Sequence, residues 1–157
     1  MKEIKLTRGQ VALVDDSDYE WLNQFKWFAH RDHKTFYAGR SVRKNGRIVQ
    51  LWMHREIMST PHGIQVDHID HNGLNNQRNN LRNCTRQQNN CNKLCACKLN
   101  YLGVSFYAKT KNKKKPYRAT IYKDGKNIHL GSFSTPEQAA LAYNNAAIKY
   151  HGRFASL

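Results

Sequence analysis

Apolar and polar positions along this chain follow strand and helix periods in two regions, separated by a stretch in which apolar residues are sparse. In the first region, Val11 to Val14 is a short apolar run that predicts a strand, and Ser17 to Phe25 follows the capping candidates Asp15 and Asp16 as a short helix. Tyr37 to Lys44 and Arg47 to Met53 flank Asn45-Gly46, a dipeptide whose residues both tolerate the positive φ of a two-residue hairpin turn. His54 to Met58 then reads as a helical turn.

From Ile64 to Lys93 the pattern breaks. The segment VDHIDHNGLNNQRNNLRNCTRQQNNCNK is crowded with Asn and has few large apolar residues, so it contributes little core. Short polar side chains that bond the backbone predict an ordered, turn-rich loop, and Thr85 to Lys93 reads as an exposed helix with its own N-cap. The order is strand, long loop, helix. Leu94 to Leu102 is the expected linker.

Period-two alternation resumes in the last third, where Gly103 to Tyr107, Tyr117 to Tyr122 and Asn127 to Phe133 predict three strands, the last two joined at Asp124-Gly125. Thr135-Pro136-Glu137-Gln138 starts a helix with an N-cap, a first-turn proline and a capping box. The stripe Ala139, Ala142, Tyr143, Ala146, Tyr150 allows that helix to lie close on a sheet.

Charge narrows the partner. Twenty-six Lys and Arg against eleven Asp and Glu give a net charge of +15, which suits a polyanion. No acidic residue occurs from His71 through Lys123, a stretch holding twelve Lys or Arg. The start, MKEIKLTRGQ, has no apolar export region, and no segment approaches the roughly 20 apolar residues of a membrane span. An intracellular, cytoplasmic protein without membrane binding is expected. Cys84, Cys91, Cys95 and Cys97 are spaced C-x6-C-x3-C-x-C, without the paired C-x2-C knuckles of most structural zinc sites, so free thiols are expected rather than structural zinc.

Phosphodiester hydrolysis needs a base, a cation and rigid placement of both. Asp67-His68 offers an acid and an imidazole side by side, and Asn89 on the predicted helix is a further oxygen donor. Val-Asp-His-Ile-Asp-His-Asn from Val66, Asn-Asn-Leu-Arg-Asn-Cys-Thr from Asn79 and Arg-Gln-Gln-Asn-Asn from Arg86 together resemble the HNH endonuclease family, particularly its phage and intron-encoded homing branch. The resemblance spans Val66 to Lys93. It implies a ββα-metal fold in which Asp67 and Asn89 hold one divalent ion, His68 is the general base and Asn80 steadies the loop that carries it. One carboxylate and one amide suit magnesium or manganese better than zinc. Arg55 of the pair His54-Arg55 is a candidate phosphate clamp, and Arg78, Arg82 and Arg86 are candidate DNA-backbone contacts.

Leu-Gly-Val-Ser from Leu102, Tyr-Arg-Ala-Thr-Ile-Tyr from Tyr117, Leu-Gly-Ser-Phe from Leu130 and the helix after Thr135 resemble the plant ethylene-response-factor (Apetala-two) DNA-binding domain. That resemblance implies a sheet laid in the major groove of duplex DNA. Alternation turns Ala119, Ile121 and Ile128 towards the helix and leaves Arg118, Thr120, Tyr122, Asn127 and His129 outward as DNA contacts. Lys109 and Lys111 belong to a basic loop suited to phosphates. Ser105, Thr120, Tyr122 and His129 stand where the plant pattern has Arg and Trp, so its base specificity does not carry over.

The expected fold class is therefore α+β: an HNH nuclease unit at 1–93, with a mixed support region before a metal core at about 64–93, a linker at 94–102, and a three-stranded antiparallel sheet packed on one helix at 103–157. The expected activity is metal-dependent nicking of double-stranded DNA by a monomer or weak homodimer. In a phage setting, which only the resemblance implies, the compartment is the host cytoplasm. The alternatives are a non-catalytic DNA-binding regulator on an HNH fold and a zinc-stabilised RNA binder.

Overall fold

A computed structural model of the chain describes residues 1–32, 35–92, 99–107 and 114–157. The chain divides into two compact units, Met1–Asn89 and Asn90–Leu157.

In the first unit, β1 (Lys2–Lys5) and β2 (Val11–Val14) pair antiparallel, and α1 (Asp16–Leu22) follows. β3 (Phe28–Asp32), β4 (Thr35–Lys44) and β5 (Arg47–Trp52) make an antiparallel sheet in chain order. The β4–β5 turn has positive φ at both Asn45 and Gly46, as the dipeptide predicts. α2 (Met53–Ile57) leads to β6 (Gln65–His68), which pairs antiparallel with β7 (Leu81–Cys84), and α3 (Arg86–Cys91) comes next. Ile4, Ala12, Val14, Leu22, Trp27, Ala38, Met53, Ile57 and Leu81 form the core. Burying each large aliphatic stabilises the unit by about 1.5–3 kcal/mol.

Two local expectations change. The helix expected to reach Phe25 ends at Leu22, because Leu22 is fully buried and its carbonyl accepts the indole N–H of Trp27 at 2.8 Å, which requires the chain to turn back there. Asp15 occupies the N-cap position of α1 but makes no side-chain cap bond. Its carboxylate instead accepts from the backbone N–H of Arg78 at 2.8 Å and from Gln77 Nε2 at 3.3 Å.

That contact is one of several by which the first thirty-five residues hold the Asn-rich segment. Leu13 N–H donates to Leu74 O at 2.9 Å, and Asn76 N–H donates to Leu13 O at 2.8 Å. Asp18, buried, accepts Arg78 Nε and Nη2 on its two oxygens, both at 2.7 Å. Gly73 N–H donates to Thr35 Oγ1 at 2.9 Å, and a Cβ on Gly73 would collide with the Phe36 carbonyl and the Tyr37 ring.

In the second unit, β8 (Val104–Phe106), β9 (Tyr117–Lys123) and β10 (Lys126–Phe133) form an antiparallel sheet in the order β10-β9-β8. α4 (Pro136–His151) lies on it. Thr135 Oγ1 accepts the N–H of Gln138 at 3.3 Å, as the capping pattern predicts. Ala119, Ala139 and Ala140 pack with Val104, while Ile121 packs with Ala146 and Ala147. Gly103, at φ 66°, is required where it is: a Cβ there would enter the Tyr143 ring and meet Thr120 O. Arg118, Tyr122, Asn127 and His129 are exposed and Thr120 is half-buried. Among the described residues no helix is long and apolar enough to cross a membrane.

Candidate active site

The β6–β7 pair sets the first relationship of the site. Asp67 and Arg82 are directly opposed in the ladder, and Asp67 Oδ2 accepts Arg82 Nε at 2.7 Å and Nη2 at 2.6 Å. Both side chains are nearly closed to water. Asp67 is thus a buried carboxylate paired with the Arg82 guanidinium. Arg82, a candidate DNA-backbone contact, is placed by this geometry in an ion pair with Asp67.

Residues two apart on a strand share a face, so Gln65 lies on the same side of β6 as Asp67. Asn89 Nδ2 donates to Gln65 Oε1 at 3.0 Å, which brings the carboxamide of α3 to that face and leaves its Oδ1 as the remaining donor atom. α3 is held in place by a reciprocal capping box: Thr85 Oγ1 accepts Gln88 N–H at 3.2 Å, and Thr85 N–H donates to Gln88 Oε1 at 2.8 Å. A carboxylate and an amide oxygen are hard donors that fit a small divalent cation completed by water. Among the described residues no set of three or more His, Cys, Asp or Glu converges on one point. Cys84 is a buried free thiol, and Cys95 and Cys97 lie outside the described residues.

His68 ends β6, with its ring 5.2 Å from that of His54 and 5.6 Å from that of Tyr37. Its Nε2 is 3.3 Å from Asn76 Oδ1. The other end of that amide, Nδ2, donates to Leu74 O at 3.2 Å, which fixes Oδ1 towards the imidazole. An oxygen opposite Nε2 requires a proton on Nε2, so the neutral ring keeps its lone pair on Nδ1. Burial pushes the His68 pKa down, against the opposing effects of the Asn76 bond and the Asp70 and Asp67 charges. The ring is therefore neutral around neutral pH. Asn76 is fully buried, and sequence reasoning passed over it among many similar Asn; only its position eight residues after His68 marks it in hindsight.

Asn80 is the hub of the intervening loop. Its Oδ1 accepts Asp70 N–H at 3.0 Å, and its Nδ2 donates to Asp70 Oδ1 at 2.9 Å and Asn75 O at 2.8 Å. Asp70 and Asn72 close successive Asx turns onto Asn72 and Leu74 N–H groups, with His71 at φ 63° between them. The abundance of Asn is backbone hydrogen bonding.

A cleft of about 290 Å³ opens beside these residues, with Tyr37, Trp52, His54, Gln65 and Asn89 in its walls. Arg55 also lines it, but its guanidinium donates to the carbonyls of Ile64 at 2.7 Å, Pro61 at 3.1 Å and Thr60 at 3.4 Å, so it braces the turn before β6. Arg86 is exposed in the first turn of α3. In the second unit Arg118 Nε donates to His129 Nδ1 at 3.0 Å on the exposed sheet face. Lys109 and Lys111 lie outside the described residues.

An acid and an imidazole on adjoining residues, with a helix amide bonded to the acid's strand, in a chain of net charge +15, are the chemistry that hydrolysis of a polyanion calls for. Residues 59–91 match the family model described as HNH endonuclease. The chain is 33% identical over 150 residues to an uncharacterized HNH endonuclease of Acanthamoeba polyphaga mimivirus, covering 95% of this chain and 75% of that protein. It is also 42% identical over 52 residues to APETALA2-like protein 2 of Oryza sativa and 40% identical over 52 residues to an AP2-like ethylene-responsive transcription factor of Arabidopsis thaliana. Each of those matches covers 33% of this chain and 11% or 10% of the plant protein. The chain belongs to the HNH endonuclease family, and it is a nuclease.

Proposed function

We propose that this nuclease is a divalent-metal-dependent endonuclease that nicks duplex DNA, with β6, β7 and α3 as its ββα-metal centre. The observation that supports the reading is the Asn89–Gln65 bond, which favours an amide oxygen donor on the Asp67 side of β6, beside a His68 whose ring is held by Asn76. Asp67 and Asn89 would hold the ion, magnesium or manganese, which when bound would supply positive charge to the phosphate and the leaving 3′ oxygen.

His68 takes a proton from water at Nδ1, and the hydroxide attacks phosphorus in line with the 3′ oxygen. Asn76 keeps the Nε2 proton in place while Nδ1 becomes charged. Asn80 holds the loop around His68, and Arg82 balances Asp67 when no ion is bound. The exposed face of β9 and β10, with Arg118, Thr120, Tyr122, Asn127 and His129, docks on the duplex, and Arg86, Lys109 and Lys111 add phosphate contacts. Arg55 serves by shaping the cleft wall. A single chain holds one such centre, so each binding event breaks one strand.

The test is conversion of supercoiled plasmid to nicked circle by wild type and His68→Ala, with magnesium, manganese or EDTA. Metal-dependent nicking by wild type and its loss in a variant that still binds DNA is the expected result. Duplex binding without nicking under every metal condition would favour a DNA-binding regulator instead.

A further inference from the structure

His54 stands in the cleft wall at the start of α2, held by other rings. Trp52 lies nearly parallel at 15° and 6.4 Å, Tyr37 meets it edge-on at 5.6 Å, and the His68 ring is 5.2 Å away. Its Nδ1 is the one side-chain nitrogen or oxygen among the described residues that is buried without a hydrogen-bond partner. Buried polar atoms in folded proteins are almost always paired, so an unpaired one beside an active site asks for a reason.

The tautomer follows from the same fact. A buried N–H without an acceptor is rarer than a buried lone pair without a donor, so the proton belongs on Nε2. With Nδ1 closed off, the Nε2 edge is the polar part of the ring that can meet the cleft. Burial above all, with the neighbouring His68 and Arg55 adding to it, pushes the His54 pKa down to about 3, so the ring does not compete with His68 for a proton at working pH. A neutral imidazole in such a place acts as a hydrogen-bond donor, polarising an oxygen without exchanging a proton with it. The phosphodiester supplies what this donor lacks: its non-bridging oxygens only accept.

We propose that His54 is a further catalytic residue, donating from Nε2 to a non-bridging oxygen of the scissile phosphate and holding that phosphate against His68. The inference rests on the reading of His68 as the base of a nuclease centre. It assigns to His54 a part distinct from that of Arg55, whose guanidinium is engaged by three carbonyls.

The experiment compares His54→Phe and His54→Gln with wild type and His68→Ala in single-turnover nicking of plasmid with magnesium, rates being normalised to folded protein by thermal melts. Phe keeps the ring stack and has no donor; Gln spoils the stack and restores a donor. A donor role predicts a loss of roughly 10- to 100-fold for Phe at unchanged DNA affinity, as for a lost polar contact to the reacting group, with Gln at least several-fold faster than Phe. A packing role predicts the reverse order. Phe at the wild-type rate, or Phe faster than Gln, overturns the inference while the nuclease reading stands. A wild type that never nicks, or a His68→Ala as fast as wild type, overturns that reading and this inference with it.

Discussion

Asp67 and Arg82 face one another across β6 and β7 with their charges 2.6 Å apart and side-chain exposures of 6% and 10%. Removing one member of a buried pair leaves the other charge uncompensated, at a cost on the order of 3–5 kcal/mol. Arg82→Met is therefore expected to lower the unfolding free energy by about that amount in EDTA. If Asp67 also holds an ion, manganese should return part of the loss and stabilise wild type less. Denaturant titrations with and without manganese check this; an equal response in the two proteins would remove Asp67 from the metal site.

Asn76 orients His68 while anchoring its own backbone to Leu13. Asn76→Ala should reduce nicking by roughly 10- to 100-fold, the usual effect of losing a side chain that orients a catalytic ligand or base. It should also destabilise the first unit by about 1–3 kcal/mol, because the fully buried amide and its bonds to Leu74 O and His68 are lost, although Leu74 O keeps the Leu13 N–H. Activity per folded molecule, taken from melts and nicking rates on the same sample, separates the two effects. Full activity per folded molecule would deny Asn76 its orienting role.

Acid should unfold this protein from its histidines. In the folded state His54 has a pKa of about 3, whereas an unfolded imidazole titrates near 6.5. The unfolded chain thus binds a proton first as pH falls, and stability, complete above about 6.5, is lost progressively down to about 3 at up to about 1.4 kcal/mol per pH unit. His68 shifts in the same direction. Urea midpoints between pH 7.5 and 4 measure the slope, and His54→Phe should flatten it.

The exposed face of the second sheet predicts a different phenotype. Arg118→Ala should weaken duplex binding and reduce the slope of log K against log salt by about one, as for one phosphate contact. Nicking at saturating protein should change little. Fluorescence anisotropy across a salt series gives both numbers, and an unchanged salt slope would take Arg118 off the DNA.

Where sequence spoke clearly, the signal was chemical and local. Asn45-Gly46 and Asp124-Gly125 both turn with positive φ at each residue, and Thr135 caps α4. β9 alternates as read, with Ala119 and Ile121 inside and Arg118 and Tyr122 outside. β1 and β3 escaped notice because Lys-Glu-Ile-Lys buries one residue of four and Phe-Ala-His-Arg-Asp only its beginning, too little for a period to register. β7 lies inside the Asn-rich stretch, where only family resemblance pointed to a second strand. At the site, the positions of Asp67, His68 and Asn89 were legible as a motif. The partners that tune them, Arg82 from the facing strand and Asn76 and His54 from elsewhere, were not, since a ladder register and a ring stack are properties of the folded chain.

The segment between β6 and β7 looks in sequence like the kind of loop that drifts in length among relatives. It is pinned instead at Leu74 and Asn76 by the backbone of Leu13, at Gln77 and Arg78 by Asp15 and Asp18, and at Gly73 by Thr35. Adding or deleting one residue between Asn72 and Arg78 would put these fixed points out of phase with β2 and α1. Insertions and deletions here should be as poorly tolerated as in a core strand, and diversity introduced by selection or by library design belongs at the exposed Arg43–Arg47 turn instead.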